Sequence, residues 1–151
     1  MLDATSRFKN LRSETGLPAY IRARGMIDAS FRAGSNGTAI NDLKETGGYR
    51  VKFPHAHVCE AIIVNTGGGM AGGDHLHVSL DLGENTHVIC STQSAEKIYR
   101  SDGAVSMIVN RLHLADHAHL VWVPQETILF DKSRLKRQLS VNMSSSAQFL
   151  A

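Results

Sequence analysis

Cysteine is scarce: only Cys59 and Cys90 occur in 151 residues, far apart and in no C-x-x-C arrangement. A zinc knuckle and a thioredoxin-type motif are therefore excluded, and two buried, reduced thiols packing as small hydrophobes are expected in preference to a disulfide or a metal site. Long apolar runs are missing too. The longest, Ala61-Ile62-Ile63-Val64 and Leu120-Val121-Trp122-Val123, fall far short of the roughly 20 residues that span a bilayer. The opening stretch, MLDATSRFKNLRSETGLP, carries no apolar segment followed by a small-residue cleavage site, so a cytoplasmic location without membrane contact is expected. Nor does charge of one sign dominate, with 16 Lys+Arg against 14 Asp+Glu. Outside Arg134-Leu135-Lys136-Arg137 the basic residues are scattered, which is no nucleic-acid footprint, and that cluster reads as the solvated face of a strand. What is present, 42% hydrophobic and 20% charged residues, is the composition of one globular domain and excludes disordered and collagen-like classes.

Residues 1–20 read as a loose leader and 21–151 as a single β domain. Arg24 to Arg32 is a candidate strand, and Gly34 to Gly48 reads as a polar loop with a helical turn. From Gly48 onward the apolar pattern has period two, with strands predicted at Tyr49 to Phe53, Val58 to Asn65, His75 to Leu82, His87 to Thr92, Val105 to Leu114, His119 to Val123, Ile128 to Asp131 and Leu135 to Met143. Only the leader and Ser94 to Ser101 offer short helices. The class is mainly β.

An internal repeat narrows the architecture. Leu80 to Gln93 aligns without gaps on Leu112 to Gln125, an offset of 32 residues, and a fainter copy at an offset of 29 runs through Val141, Met143 and Ala147 to Leu150. Each copy reads as a strand, a tight turn with an acid (Glu84, Asp116), and a strand opened by a histidine (His87, His119). One such unit cannot bury its apolar face alone, so stacked, hairpin-like units in a β-superhelix or layered sheets are expected, with one or two short helices. The alternative is chance similarity between two ordinary hairpins.

The segment Gly67-Gly68-Gly69-Met70-Ala71-Gly72-Gly73-Asp74 contains a literal G-x-G-x-x-G after a strand-like run. A dinucleotide site would need a helix next, yet His75 to Leu82 alternates as a strand. A P-loop would need Lys-Ser/Thr where Gly73-Asp74 stands. What remains is a strand-to-strand connection whose geometry only glycine adopts without strain.

In residue order this segment resembles the urease accessory proteins called UreD or UreH, with their Gly-Gly-x-x-Gly-Gly-Asp core. Arg50-Val-Lys-Phe-Pro54, Thr92-Gln-Ser-Ala-Glu-Lys-Ile-Tyr-Arg-Ser101, Val123-Pro-Gln-Glu-Thr-Ile-Leu-Phe-Asp131 and the strand after Arg134 are similar to further family segments in the same order. The resemblance covers residues 48–150. Family members are longer, which implies that these residues are the N-terminal part of the family's β domain. It further implies a non-catalytic scaffold and conduit that binds UreF and the GTPase UreG, forms a homodimer through the complex, and docks on apo-urease so that nickel passes through without permanent binding.

The residues themselves add three His-x-His pairs: His55/His57, His75/His77 and His117/His119. On a strand, i and i+2 share a face about 6.5 to 7 Å apart, and imidazole suits Ni(II), Cu(II) and Zn(II). Asp74, His75 and His77, with Glu96 or Glu60 near, form the candidate nickel path. A conduit needs oxygen and nitrogen ligands that release the ion, which Asp74 and Glu96 supply. The competing readings are solvated strand positions for the histidines and a turn cap for Asp74. Lys97, Tyr99 and Arg100 are candidate partner contacts, weighed against structural hydrogen bonding for Tyr99 and a buried or interface ion pair for Arg100.

Overall fold

The computed structural model describes residues 21–54 and 57–151, which form twelve strands and, among these residues, no helix. The strands are β1 (Arg24–Gly34), β2 (Gly37–Thr46), β3 (Tyr49–Lys52), β4 (Cys59–Asn65), β5 (His75–Leu82), β6 (His87–Thr92), β7 (Glu96–Ile98), β8 (Ser106–Leu114), β9 (His119–Val123), β10 (Thr127–Leu129), β11 (Leu135–Met143) and β12 (Gln148–Leu150). They build a five-stranded sheet in the order β11-β8-β5-β1-β2, a second in the order β12-β9-β6-β4-β3, and a two-stranded β10-β7 sheet. The proposed leader and His55 lie outside the described residues.

The sequence repeat is a pairing register. Leu80 lies beside Leu112 and Leu82 beside Leu114 in the parallel β5–β8 pair, and His87 lies beside His119 in β6–β9, all at the offset of 32. Met143 lies beside Leu114 and Gln148 beside His119 at the offset of 29. Chance similarity is thereby excluded. The copies are not hairpins, however, because consecutive strands such as β5 and β6 enter different sheets. Neither is the whole chain one superhelix: β1–β2 and β3–β4 pair antiparallel, so the sheets are mixed.

Period-two alternation sets the core. On β5, Leu76, Val78, Leu80 and Leu82 are buried while His75, His77 and Ser79 are half-exposed on the opposite face. Stacking places like on like, with Val88 beside Leu120 and Cys90 beside Trp122. Each such side chain removed from water stabilises by about 1.5–3 kcal/mol.

Two expectations fail locally. Gly34 to Gly48 is mostly β2, paired with β1 and bulged so that Phe31 faces Ile40 while Ser30 faces Asp42. The extra residue, Asn41, separates inward-leaning Ile40 and Leu43 by three positions instead of two, which imitates helical spacing. The short helix expected within Ser94 to Ser101 is β7, extended because Glu96 to Ile98 pairs in parallel with Thr127 to Leu129.

Candidate functional site

The glycine segment carries the chain from β4 in one five-stranded sheet to β5 in the other. Midway, Met70 pairs with Ile98 as a single-residue extension of the small sheet: its N–H donates to Lys97 O at 2.7 Å and its carbonyl accepts from Tyr99 N–H at 2.9 Å. Two glycines are dictated by this close approach. A Cβ on Gly69, where φ is 147°, would stand 2.6 Å from the Tyr99 ring, and one on Gly72 would overlap the Ser101 side chain.

Behind the loop runs a polar chain. Asn65 Nδ2 donates to Glu96 Oε1 at 2.9 Å and approaches Tyr49 Oη at 3.0 Å and Gly69 O at 3.3 Å, while Asn65 Oδ1 accepts from Gly67 N–H at 2.9 Å. Burial pushes the Glu96 carboxyl above the usual carboxylate range, opposed by the Asn65 hydrogen bond, the Arg137 charge and a hydrogen bond to the Lys97 backbone. Burial, then the charges of Glu96 and Asp74, likewise raises the Tyr49 hydroxyl.

Glu96 stands between two cavities. One, of about 220 Å³, lies among inward side chains including Leu76, Val78, Ile108 and Trp122 and also takes in Asn110, Gln125 and Arg137. The other, of about 80 Å³, opens beside Gly68, Gly69 and Ser94. Both are lined by Ile63, Thr92 and Glu96. Asn110 is 6% exposed and lines the larger cavity; no buried side-chain polar atom among the described residues lacks a hydrogen-bond partner, so its amide keeps access to that cavity.

The candidate nickel path is divided by the fold. Glu96 faces the interior, whereas His75 and His77 lie on the outer face of β5, opposite Leu76 and Val78. Asp74 is a turn cap: Oδ1 accepts from Ala23 N–H at 2.9 Å and Oδ2 from Ala71 N–H at 2.8 Å. No group of three or more His, Cys, Asp and Glu side chains able to hold a metal ion occurs among the described residues. Of the other pairs, His57 is exposed, and His117 sits in a turn with φ of 56°, so strand alternation does not align it with His119. His119 stacks instead on His87, ring centroids 4.3 Å apart.

Tyr99 donates its hydroxyl to Gly68 O at 3.1 Å and packs on Phe130 at 5.2 Å, so it braces the loop. The Arg100 ion pair is with Asp102 at 3.3 Å and is exposed, not buried, because both residues lie in the turn after β7. Lys97 has an exposed side chain and serves the loop through its carbonyl. In the basic cluster Lys136 faces outward, but Arg137 shares an inward row with Ile108 and donates to Thr127 Oγ1 at 2.6 Å. Sequence reasoning passed over Asn65, Tyr49 and Asn110. Only Asn110 left a signal, as a polar residue at an inward position between Ile108 and Leu112. No helix among the described residues is long and apolar enough to cross a membrane.

Comparison with known proteins matches residues 23–151 to the family described as UreD urease accessory protein. The urease accessory protein UreD of Rhodopseudomonas palustris (strain HaA2) is 40% identical over 131 residues, 85% of this chain and 47% of that protein. UreD 1 of Methylobacterium radiotolerans is 43% identical over 139 residues, 89% of this chain and 48% of that protein. UreD of Rhodopseudomonas palustris (strain BisB5) is 38% identical over 152 residues, 99% of this chain and 54% of that protein. The chain thus spans about half the length of these curated relatives.

Proposed function

The chain belongs to the UreD family of urease accessory proteins, and from that premise we propose that it is a non-catalytic scaffold and conduit through which nickel reaches apo-urease, working in the cytoplasm with UreF and the GTPase UreG. The observation that carries the conduit reading is the position of Glu96 at the junction of two cavities, with Asn110 and Gln125 on one side of it and Ser94 on the other. Carboxylate, amide and hydroxyl oxygens are hard donors that hold a divalent cation through few contacts or through its water shell and let it go. A carboxylate whose charge is disfavoured by burial gains most when a cation arrives.

The outer residues Asp74, His75 and His77 are a separate part of the proposed path. For Asp74 a scaffold role without metal is favoured, since both of its carboxylate oxygens are engaged by backbone N–H groups. That observation supports the second reading, an interaction module with no metal role.

Urease activation in cells making the full accessory set separates the two. Glu96→Leu with Asn110→Leu closes the interior, and His75→Ala with His77→Ala strips the outer face. Loss of active urease in the interior variant, with UreF binding retained, supports the conduit. Full activation by both variants overturns it.

A further inference from the structure

The outer face of the first five-stranded sheet sets thioethers beside two of the paired histidines. β1, β5 and β8 stand in the middle of that sheet, each paired along both of its edges. On all three, alternation with buried neighbours turns Met26, His75, His77 and Met107 outward, and all four are half-exposed. The parallel registers place Met26 beside His77 and Met107 beside His75. With strands about 4.8 Å apart and successive outward residues about 6.6 Å apart, the four side chains start from a patch about 12 Å across. Methionine, unbranched and with three rotatable bonds, reaches inward across such a patch.

Charge decides which ion this patch suits. Arg24 flanks His75 and Lys136 flanks Met107. Asp74 gives both carboxylate oxygens to backbone N–H groups, and Asp28, one step along β1 from Met26, stands beside Lys44. A hard dication therefore meets cations here without an anionic oxygen to offset them, whereas thioether and imidazole together suit a soft monovalent ion.

We propose that Met26, His75, His77 and Met107 form a binding site for cuprous copper, with imidazole nitrogens and thioether sulfurs as its ligands. Nickel has only the two imidazoles to use on this face and is held more weakly. The site does not rest on the interior path, from which it is separated by the sheet itself: Leu76 and Val78 line the larger cavity while His75 and His77 point away from it.

The test is a competition for Cu(I) between the purified protein and bicinchoninate, whose Cu(I) complex is coloured, in ascorbate without oxygen. The protein is expected to withdraw one Cu(I) per chain, and His75→Ala with His77→Ala to abolish this. Loss of even an outer-shell partner costs about 10–100-fold in metal affinity, so the volume-conserving pair Met26→Leu with Met107→Leu should weaken Cu(I) binding about tenfold or more. Ni(II) binding by the same variant, measured by calorimetry, should be unchanged. Unfolding cannot imitate this result, because it would expose the Cys59 and Cys90 thiols and tighten copper binding. Cys59→Ala should leave the Cu(I) affinity as it was. No copper withdrawn by the parent, equal affinity in the leucine variant, an equal fall for Ni(II), or copper lost with Cys59→Ala would overturn the proposal.

Discussion

The side-chain amide of Asn65 donates to the carboxylate of Glu96 at 2.9 Å, tying the end of β4 to the start of β7 across 31 residues of sequence. This bond fixes a half-buried acid at the junction of the two cavities, behind a loop whose glycines admit the Tyr99 ring and the Lys97 carbonyl. Geometry and electrostatics at Glu96 are therefore coupled, and both can be measured.

Because burial raises the Glu96 pKa, the folded state holds this proton more firmly than the unfolded chain. The resulting stability is present below the ordinary carboxylate range and is lost as pH rises through the raised folded value. Glu96→Gln keeps an acceptor for Asn65 and removes the titration. Calorimetry should find the difference in Tm, variant minus parent, more positive at about pH 7 than at about pH 4. A constant difference would show that Glu96 titrates alike in both states.

Gly68 and Gly69 differ in what an added methyl meets. Gly68, with φ of 74°, has nothing within 4 Å, whereas Gly69 meets the Tyr99 ring at 2.6 Å and Lys97 O at 2.9 Å. Gly68→Ala should cost about 1–2 kcal/mol from backbone strain alone, and Gly69→Ala about 1–3 kcal/mol more from overpacking. Urea unfolding measures both, and equal losses would remove the close-approach explanation.

Asn110→Leu replaces a cavity-facing amide by an apolar group of similar size on the wall of the 220 Å³ cavity. Stability should change by less than about 1 kcal/mol, because no buried polar atom is left unpaired by the change. Urease activation should nonetheless fall, because the change removes an oxygen donor from the cavity wall. Unchanged activation would remove Asn110 from the proposed path.

Burial, then the neighbouring Cys59, pushes the Cys90 thiol up to about 12, while Cys59 is only half-buried and raised by burial alone. An aromatic disulfide reagent at about pH 8 should therefore label Cys59 in the native protein and reach Cys90 only after denaturation. Equal labelling of both thiols would place Cys90 nearer solvent.

Much of this was legible in the residues. The repeat of Leu80 to Gln93 on Leu112 to Gln125 is the parallel register itself, because residues stacked one above another face the same environment and keep the same character. β2 was illegible because the bulge at Asn41 breaks its alternation, and β7 because three residues are too short a run to show a period. At the site, the glycines could be recognised as geometry from the strand that follows them. Which side of the sheet each candidate ligand faced could be read for His75 and His77 from their alternation with Leu76 and Val78. Glu96 could not be placed that way, since its burial comes from Asn65, Tyr49 and Ile63, all supplied by distant strands.

The central claim is that nickel passes Glu96 on its way to urease. Its most direct test is the nickel content of urease purified from cells at limiting nickel, with the parent chain or with Glu96→Gln in the accessory complex. The conduit account predicts several-fold less nickel per urease in the variant, with UreF and UreG still co-purifying. Equal nickel loading with the complex intact would contradict it.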